Sequence, residues 1–205
     1  MAKTLEKVDV VTVGVGWTGG IVAAECAKAG MKVVGLERGK ERDTSDYFMV
    51  HDEYRYAIRY ELMQNLAKET VTFRNKRNQR ALPMRQMGSF LLGEGLGGSG
   101  THWNGWTFRF LPYDFEIRSM TEKRYGGNKI PQDLLLQDWG ITYDELEPYF
   151  DRFEKTAGIS GDNKNPFAGT RKSEYPTPPM KKTPILQKFE KAAEKLGYHP
   201  YMMPS

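Results

Sequence analysis

Residues 8–39 read VDVVTVGVGWTGGIVAAECAKAGMKVVGLERG, and the order of residue types in this stretch decides the fold. Val8, Val10, Val11 and Val13 form a β-branched run of the kind that makes a strand buried on both faces of a parallel sheet. Gly14, Gly16 and Gly19 follow with G-x-G-x-x-G spacing. The first glycine permits a tight turn off the strand, the second lets a pyrophosphate approach the backbone, and the third lets the next helix pack closely on the sheet. That helix is predicted over residues 18–29, beginning at Thr18, with Ala23, Ala24 and Ala27 small enough for close contact and its first amides turned toward phosphate charge. Gly30 ends it, and residues 32–36 read as a second strand. Glu37 stands at its end, about 20 positions beyond the first glycine, where a carboxylate accepts hydrogen bonds from a ribose 2′-hydroxyl and repels a 2′-phosphate. Trp17 is bulky for its place between the second and third glycines, and only its backbone need approach a phosphate. The expected fold class is therefore α/β, a Rossmann-like parallel sheet that begins with a β-α-β unit.

Composition sets the outer bounds. The chain has 205 residues, 39% hydrophobic and 27% charged, enough for a globular core in one domain or one and a fraction. A net charge of +4 does not point to nucleic acid. Arg74, Lys76, Arg77, Arg80 and Arg85 form a local basic run, but no aromatic residues are interleaved for base stacking, and a solvated loop is the expectation. The single Cys26 excludes an internal disulfide and any multi-cysteine metal site, so no metal is expected. No apolar stretch approaches the roughly 20 residues of a membrane helix. The first residues, MAKTLEKVDVV, lack the apolar segment and cleavage site of a signal peptide. On its own sequence the chain reads as cytoplasmic.

Farther along, Tyr54, Ile58, Leu62 and Leu66 recur every four residues and predict an amphipathic helix over 52–68, with His51 before it in a structural or solvent-facing role. A short strand is expected over 70–73. Residues 88–105 read GSFLLGEGLGGSGTHWNG and hold seven of the 21 glycines in 18 positions. Such density excludes a regular helix or strand and implies main chain that something approaches closely. A flexible linker would not carry Phe90, Leu91, Leu92, His102, Trp103 and Trp106 among its glycines, which favours a ligand-contacting loop.

Gly95, Leu96, Gly97, Gly98 and Ser99, followed by Asn104 and Arg109, resemble the flavin-contacting segment of the glucose-methanol-choline oxidoreductase family. Leu36, Glu37, Arg38 and Gly39 resemble the end of its first FAD element. Thr101, His102 and Trp103 before Asn104 are more similar to the branch that oxidises sugars and sugar acids than to the choline or glucose oxidase branch. The resemblance implies FAD as cofactor, held by Gly14, Gly16, Trp17, Thr18, Gly19, Glu37, Arg38, Gly95, Leu96, Gly97, Gly98, Ser99, His102 and Asn104. It leaves two roles open for His102, covalent attachment through the flavin 8α-methyl group or packing and hydrogen bonding against the ring. It also implies hydride transfer from a CH–OH group of a sugar, polyol or sugar acid to flavin N5. Cytochrome c and a small subunit are the implied partners, and through a partner subunit the chain would be membrane-associated or exported.

Residues 115–140 show little periodicity and are expected to be loop with short pieces of structure. Thr142 and Glu145 form a capping box, but Pro148 predicts a break, with a short turn to Leu146 and a helix starting afresh at Pro148, Phe150 and Phe153 inward. Ile185, Phe189, Ala192, Ala193 and Leu196 mark a last amphipathic helix capped by Gly197. The family likeness covers essentially the whole chain, and family members are much longer. The expected organisation is an FAD-binding domain over 1–130, with the β-α-β unit at 8–39 and the flavin loop at 88–109. Residues 131–205 are then connecting helices and the start of a substrate domain. On that reading the catalytic histidine lies outside these residues, none of His51, His102 and His199 is the base, and the chain is an N-terminal fragment. An NAD-dependent dehydrogenase and a non-catalytic FAD-binding remnant are the competing readings; the first leaves residues 88–105 unexplained.

Overall fold

The computed structural model describes residues 4–43, 46, 70–83 and 92–205. His51 and the helix expected over 52–68 lie outside them. The chain divides into two compact units, Met1–Trp103 and Asn104–Ser205.

In the first unit, strand β1 (Val10–Val13) pairs in parallel with β2 (Val33–Leu36), Val10 facing Val33 and Val13 facing Leu36. Helix α1 (Trp17–Lys28) makes the crossover between them. It stops where the sequence says it should: Gly30 adopts φ +85°, its amide donates to the Ala27 carbonyl, and the Met31 amide donates to that of Cys26. This is the Schellman arrangement, which satisfies carbonyls that would otherwise be orphaned. The expected two-sided burial of the first strand is not met. Thr12 is buried, but Val11 is exposed and Val13 is 86% exposed, because among the described residues β1 has one strand neighbour and one covering helix. The parallel pair and its helix are consistent with a Rossmann-like start, at two strands rather than a full sheet. A small antiparallel pair, β3 (Thr72–Phe73) with β4 (Leu82–Pro83), frames Arg74, Lys76, Arg77 and Arg80, all exposed as expected of a solvated loop.

The second unit is helical. Helices α2 (Pro112–Phe115) and α3 (Ile117–Tyr125) lead through a 3-10 turn at Gly127–Lys129 to α4 (Tyr143–Ala157) and α5 (Pro184–Lys195). Phe115, fully buried, centres the core. Its ring meets those of Phe110, Trp139, Tyr143 and Phe150 at centroid distances of 5.1–6.5 Å. Two expectations are corrected here. Helix α3 runs through a stretch expected to be mostly loop, and its N-terminus is held from 20 positions away: Asp138 Oδ1 accepts the amides of Arg118 (2.9 Å) and Ser119 (3.1 Å), and Oδ2 accepts the Ser119 hydroxyl. These bonds, the Ser119 hydroxyl foremost, hold the Asp138 carboxyl below its usual range.

Helix α4 is continuous through Pro148. Proline removes one donor to the carbonyl four residues back, here Asp144, and both residues are exposed, so water is at hand for that carbonyl. The helix is secured by the expected capping box, with Thr142 and Glu145 bonded reciprocally. Its most buried positions are Tyr143, Glu147, Asp151 and Glu154, a mostly acidic stripe at helical spacing, while Phe150 and Phe153 are half-buried beside it.

That stripe faces cations. The Arg109 side chain, 7% exposed, donates through Nε and Nη2 to both oxygens of Glu154 (2.8 Å each) and through Nη1 to Glu147 and the Tyr143 hydroxyl (3.1 Å each). Arg171 also donates to both Glu154 oxygens and stacks on Tyr175 at 3.8 Å. Asp151 accepts from Lys155 and from the Ser173 hydroxyl. Burial alone would lower the Arg109 pKa, but the bonds to Glu154, Tyr143 and Glu147 outweigh it and raise it further above the ordinary arginine value.

Candidate functional site

The site is assembled in the first unit from main chain. Gly14 leaves β1 with φ +90°, its amide donating to the Leu36 carbonyl (2.7 Å), and the space where its side chain would stand is open. Gly16 is the N-cap of α1, among the described residues no side chain caps it, and the first turn carries no acidic residue, which leaves the positive end of the helix suited to an anion. A methyl group on Gly19 would overlap the Gly14 carbonyl oxygen, which is the close packing expected of the third glycine.

Glu37 reaches back into this turn. Its Oε2 accepts the Val15 amide (2.8 Å) and its Oε1 the Gly39 amide (2.9 Å). These bonds, Gly39 first and Val15 second, hold the carboxyl below its usual range, so it is an anion at neutral pH. A carboxylate offers about four acceptor positions, more than these amide bonds fill. Thr18 and Arg38 are both exposed.

The glycine loop docks on the same turn. The Gly97 amide donates to the Val15 carbonyl (2.8 Å), Gly16 and Gly97 form a parallel bridge, and the Leu96 amide donates to the Lys40 carbonyl (3.1 Å). A methyl group on Gly39 would collide with the Gly95 backbone, and one on Gly98 would stand 3.1 Å from the Gly16 Cα. Ser99, within a 3-10 turn at Gly98–His102, accepts the Gly93 amide on its hydroxyl (2.9 Å) and closes the loop. The structure thus brings Gly14, Gly16, Trp17, Thr18, Gly19, Glu37, Arg38 and Gly95 to Ser99 together with the His102 backbone. Asn104 begins the second unit. Arg109, which the resemblance attaches to the flavin segment, is engaged with Glu147 and Glu154.

Three residues not assigned to the cofactor from sequence also build this turn: Val15, Gly100 and Trp103. Val15 uses both backbone groups, one toward Glu37 and one toward Gly97, and a hydrophobic residue inside a turn gives no sign of that. Gly100 takes the Trp17 indole against its Cα, and Trp103 meets the same indole edge-on at a centroid distance of 4.8 Å. The signal available was the pairing of an oversized residue in one glycine segment with an unexplained glycine in the other.

A second concavity, of about 1000 Å³, lies within the second unit between α5 and the segments carrying Phe108 and Phe167, with Phe189, Leu196 and His199 in its wall. The apolar face of α5 is exposed there, Phe189 by 66%. Among the described residues no helix is long and apolar enough to cross a membrane.

No known protein-family profile matches the chain. Over its whole length, however, it is 46% identical to the gluconate 2-dehydrogenase flavoprotein of Pantoea cypripedii, aligning with 36% of that protein. The chain resembles a gluconate 2-dehydrogenase flavoprotein. It is also 29% identical to 2-methyl-1,2-propanediol dehydrogenase of Mycolicibacterium austroafricanum and 28% identical to the fructose dehydrogenase large subunit of Gluconobacter japonicus, in each case over 97% of its length. It spans about a third of the length of these relatives, 33–36%. The likeness to the gluconate 2-dehydrogenase flavoprotein and its relatives agrees with the resemblance drawn from residues 95–104.

Proposed function

We propose that this chain is the FAD-holding part of an oxidoreductase of the glucose-methanol-choline type that acts on a CH–OH group of a sugar, polyol or sugar acid, as its gluconate 2-dehydrogenase-like sequence suggests. The observation that carries the reading is the docking of two glycine segments on each other, Gly16 against Gly97 and Gly98, beside an uncapped helix end and an amide-held carboxylate. These features fit an extended dinucleotide. The open side of Gly14 and the first amides of α1 would receive the pyrophosphate, Glu37 the ribose hydroxyls, and Gly95 to Ser99 with His102 and Asn104 the flavin end. When bound, FAD supplies a two-electron acceptor at N5 for hydride leaving the substrate carbon. The part of this chain is to bind, orient and exclude water. We take residues 1–130 as FAD-binding domain and 131–205 as connecting helices and the beginning of a substrate domain.

A fixed carboxylate at Glu37 disfavours the 2′-phosphate of NADP. Reconstituting the chain with FAD and following flavin absorbance and fluorescence tests the reading: FAD is retained and NADPH is not, whereas tight NADPH binding without flavin retention refutes it. By family resemblance none of His51, His102 and His199 is assigned the role of base, so the 205-residue polypeptide by itself is expected to turn over no gluconate. Dye-linked oxidation at the rate of a full-length relative would overturn that. For His102, acid precipitation followed by peptide mass spectrometry separates the two roles, since a yellow peptide containing His102 requires a covalent bond and full release of flavin requires its absence. Assembly with a small subunit belongs to the same proposal, supported by the relative named as a large subunit, and so does electron delivery to a cytochrome c, which rests on the family resemblance alone.

A further inference from the structure

We infer that Trp17 is a positioning residue of the dinucleotide site, acting through its side chain: the indole locks the glycine loop onto the first turn of α1, and Gly100 lacks a side chain in order to receive it. This rests on the proposed FAD site and adds to it the element that holds its two halves in register.

Trp17 is the first residue of α1, directly after the Gly16 N-cap, so its backbone belongs to the positive end of the helix. Its indole turns toward residues 100–103. A Cβ built on Gly100 would fall on the indole ring, meeting Nε1, Cδ1 and Cε2. Trp103 meets the same indole edge-on at 4.8 Å, with the planes at 79°. The loop is thereby held in two ways. From Gly95 to Gly98 it meets Gly16, Gly39 and Lys40 by main chain, and at Gly100 and Trp103 it meets the Trp17 side chain.

The two attachments differ in kind. Main-chain contacts hold residues 95–98 to residues 15–16 and 39–40. The indole carries the hold on to residues 100–103, because moving them away from α1 would lose its contacts with Gly100 and Trp103. The 3-10 turn at Gly98–His102 transmits the constraint to the His102 backbone. A loop already ordered in the binding geometry loses less entropy when ligand arrives. The oversized residue at position 17 and the glycine at position 100 are therefore one feature.

The test is a double-mutant cycle on the 205-residue chain, with Trp17→Ala, Trp17→Phe, Gly100→Ala and the double variant Trp17→Ala/Gly100→Ala. Two readouts are taken: amide hydrogen exchange of residues 92–103 without flavin, and FAD affinity by flavin fluorescence. An aromatic pair of this kind corresponds to about tenfold in an equilibrium. Trp17→Ala and Gly100→Ala should each speed exchange in the loop and weaken FAD by about tenfold, Trp17→Phe should recover part of both, and the double variant should be no worse than Trp17→Ala. Exchange around Arg109 and Glu154 in the second unit should not change. Loop protection and FAD affinity unaltered by Trp17→Ala, or effects of the two substitutions that simply add, overturn the inference. If Trp17→Ala does not fold, Trp17→Phe against Gly100→Ala decides on the same criteria. Wild-type chain that retains no FAD removes the proposed cofactor and this role with it; wild-type and Trp17→Ala chains that retain FAD equally remove this role alone.

Discussion

The dinucleotide-site candidate in the first unit and the α4 cluster in the second bury polar groups by opposite means. Around Gly16, Gly19, Gly39 and Gly98, main chain approaches main chain; a methyl group would strike backbone at Gly19 and Gly39 and stand 3.1 Å from the Gly16 Cα at Gly98. Around Glu147, Asp151 and Glu154, the chain buries carboxylates and satisfies them with Arg109, Arg171, Lys155 and Ser173. The first arrangement is built of main-chain contacts and one amide-held carboxylate, whereas the second pairs its charges with one another. An exposed polar surface made of backbone suits recognition, and a saturated ion network suits support.

The contrast breaks most visibly at Arg109. Replacing it with leucine strips Glu147 and Glu154 of their shared cation, and removing one partner of a buried pair costs about 3–5 kcal/mol. Thermal unfolding of Arg109→Leu should therefore drop steeply, with Trp139 fluorescence as reporter of the aromatic core next to it. A change of less than about 1 kcal/mol, the scale of a surface ion pair, would mean the network is not what holds α4.

Gly39→Ala attacks the other arrangement. The added methyl meets the Gly95 backbone, which has no flexible end to yield, and overpacking of this sort costs about 1–3 kcal/mol. We expect loss of protection in residues 92–100 by hydrogen exchange and weaker flavin retention, with α4 unaffected. A crystal structure showing the loop undisturbed would end the claim that these segments touch through glycine by necessity.

Acid sharpens the comparison. In the second unit Asp138, Glu145, Asp151 and Glu190 all sit below their usual carboxyl range through hydrogen bonds to Ser119, Thr142, Lys155 and Lys182 respectively, while in the first unit Glu37 is so placed through Gly39 and Val15. A depressed carboxyl stabilises the fold above its unfolded pKa, and that contribution is lost as pH falls through the folded value, because the unfolded chain then binds more protons. Titration from neutrality to below pH 4 should unfold the second unit with the larger proton uptake. The glycine site should lose dinucleotide affinity as Glu37 protonates. Equal acid sensitivity of the two units, followed by residue-resolved exchange, would contradict this.

The smallest expected effect is at Thr142. Thr142→Ala removes the N-cap acceptor of α4 and should cost about 0.5–2 kcal/mol, read as a modest shift in the denaturation midpoint. A loss as large as that at Arg109 would assign to the cap what we attribute to the ion network.

Much of the fold is legible locally. The strand-glycine-helix-strand order of residues 8–39, the stop at Gly30, the capping box at Thr142 and the last helix before Gly197 all depend on residues within about one helical turn of each other, and the sequence by itself determines them. The features it could not determine have partners far along the chain. Helix α3 is capped by Asp138 from 20 positions away, and α4, continuous through Pro148, is gripped by Arg109 and Arg171 on its buried side. The same holds in the candidate site. That glycines of residues 14–19 and 95–100 matter is visible in their spacing and density, but that Gly39 opposes Gly95 and Trp17 opposes Gly100 emerges only when the segments meet. Local propensity acts through bonds between near neighbours, while burial, charge pairing and close backbone approach act between segments that only tertiary folding brings within a few ångströms.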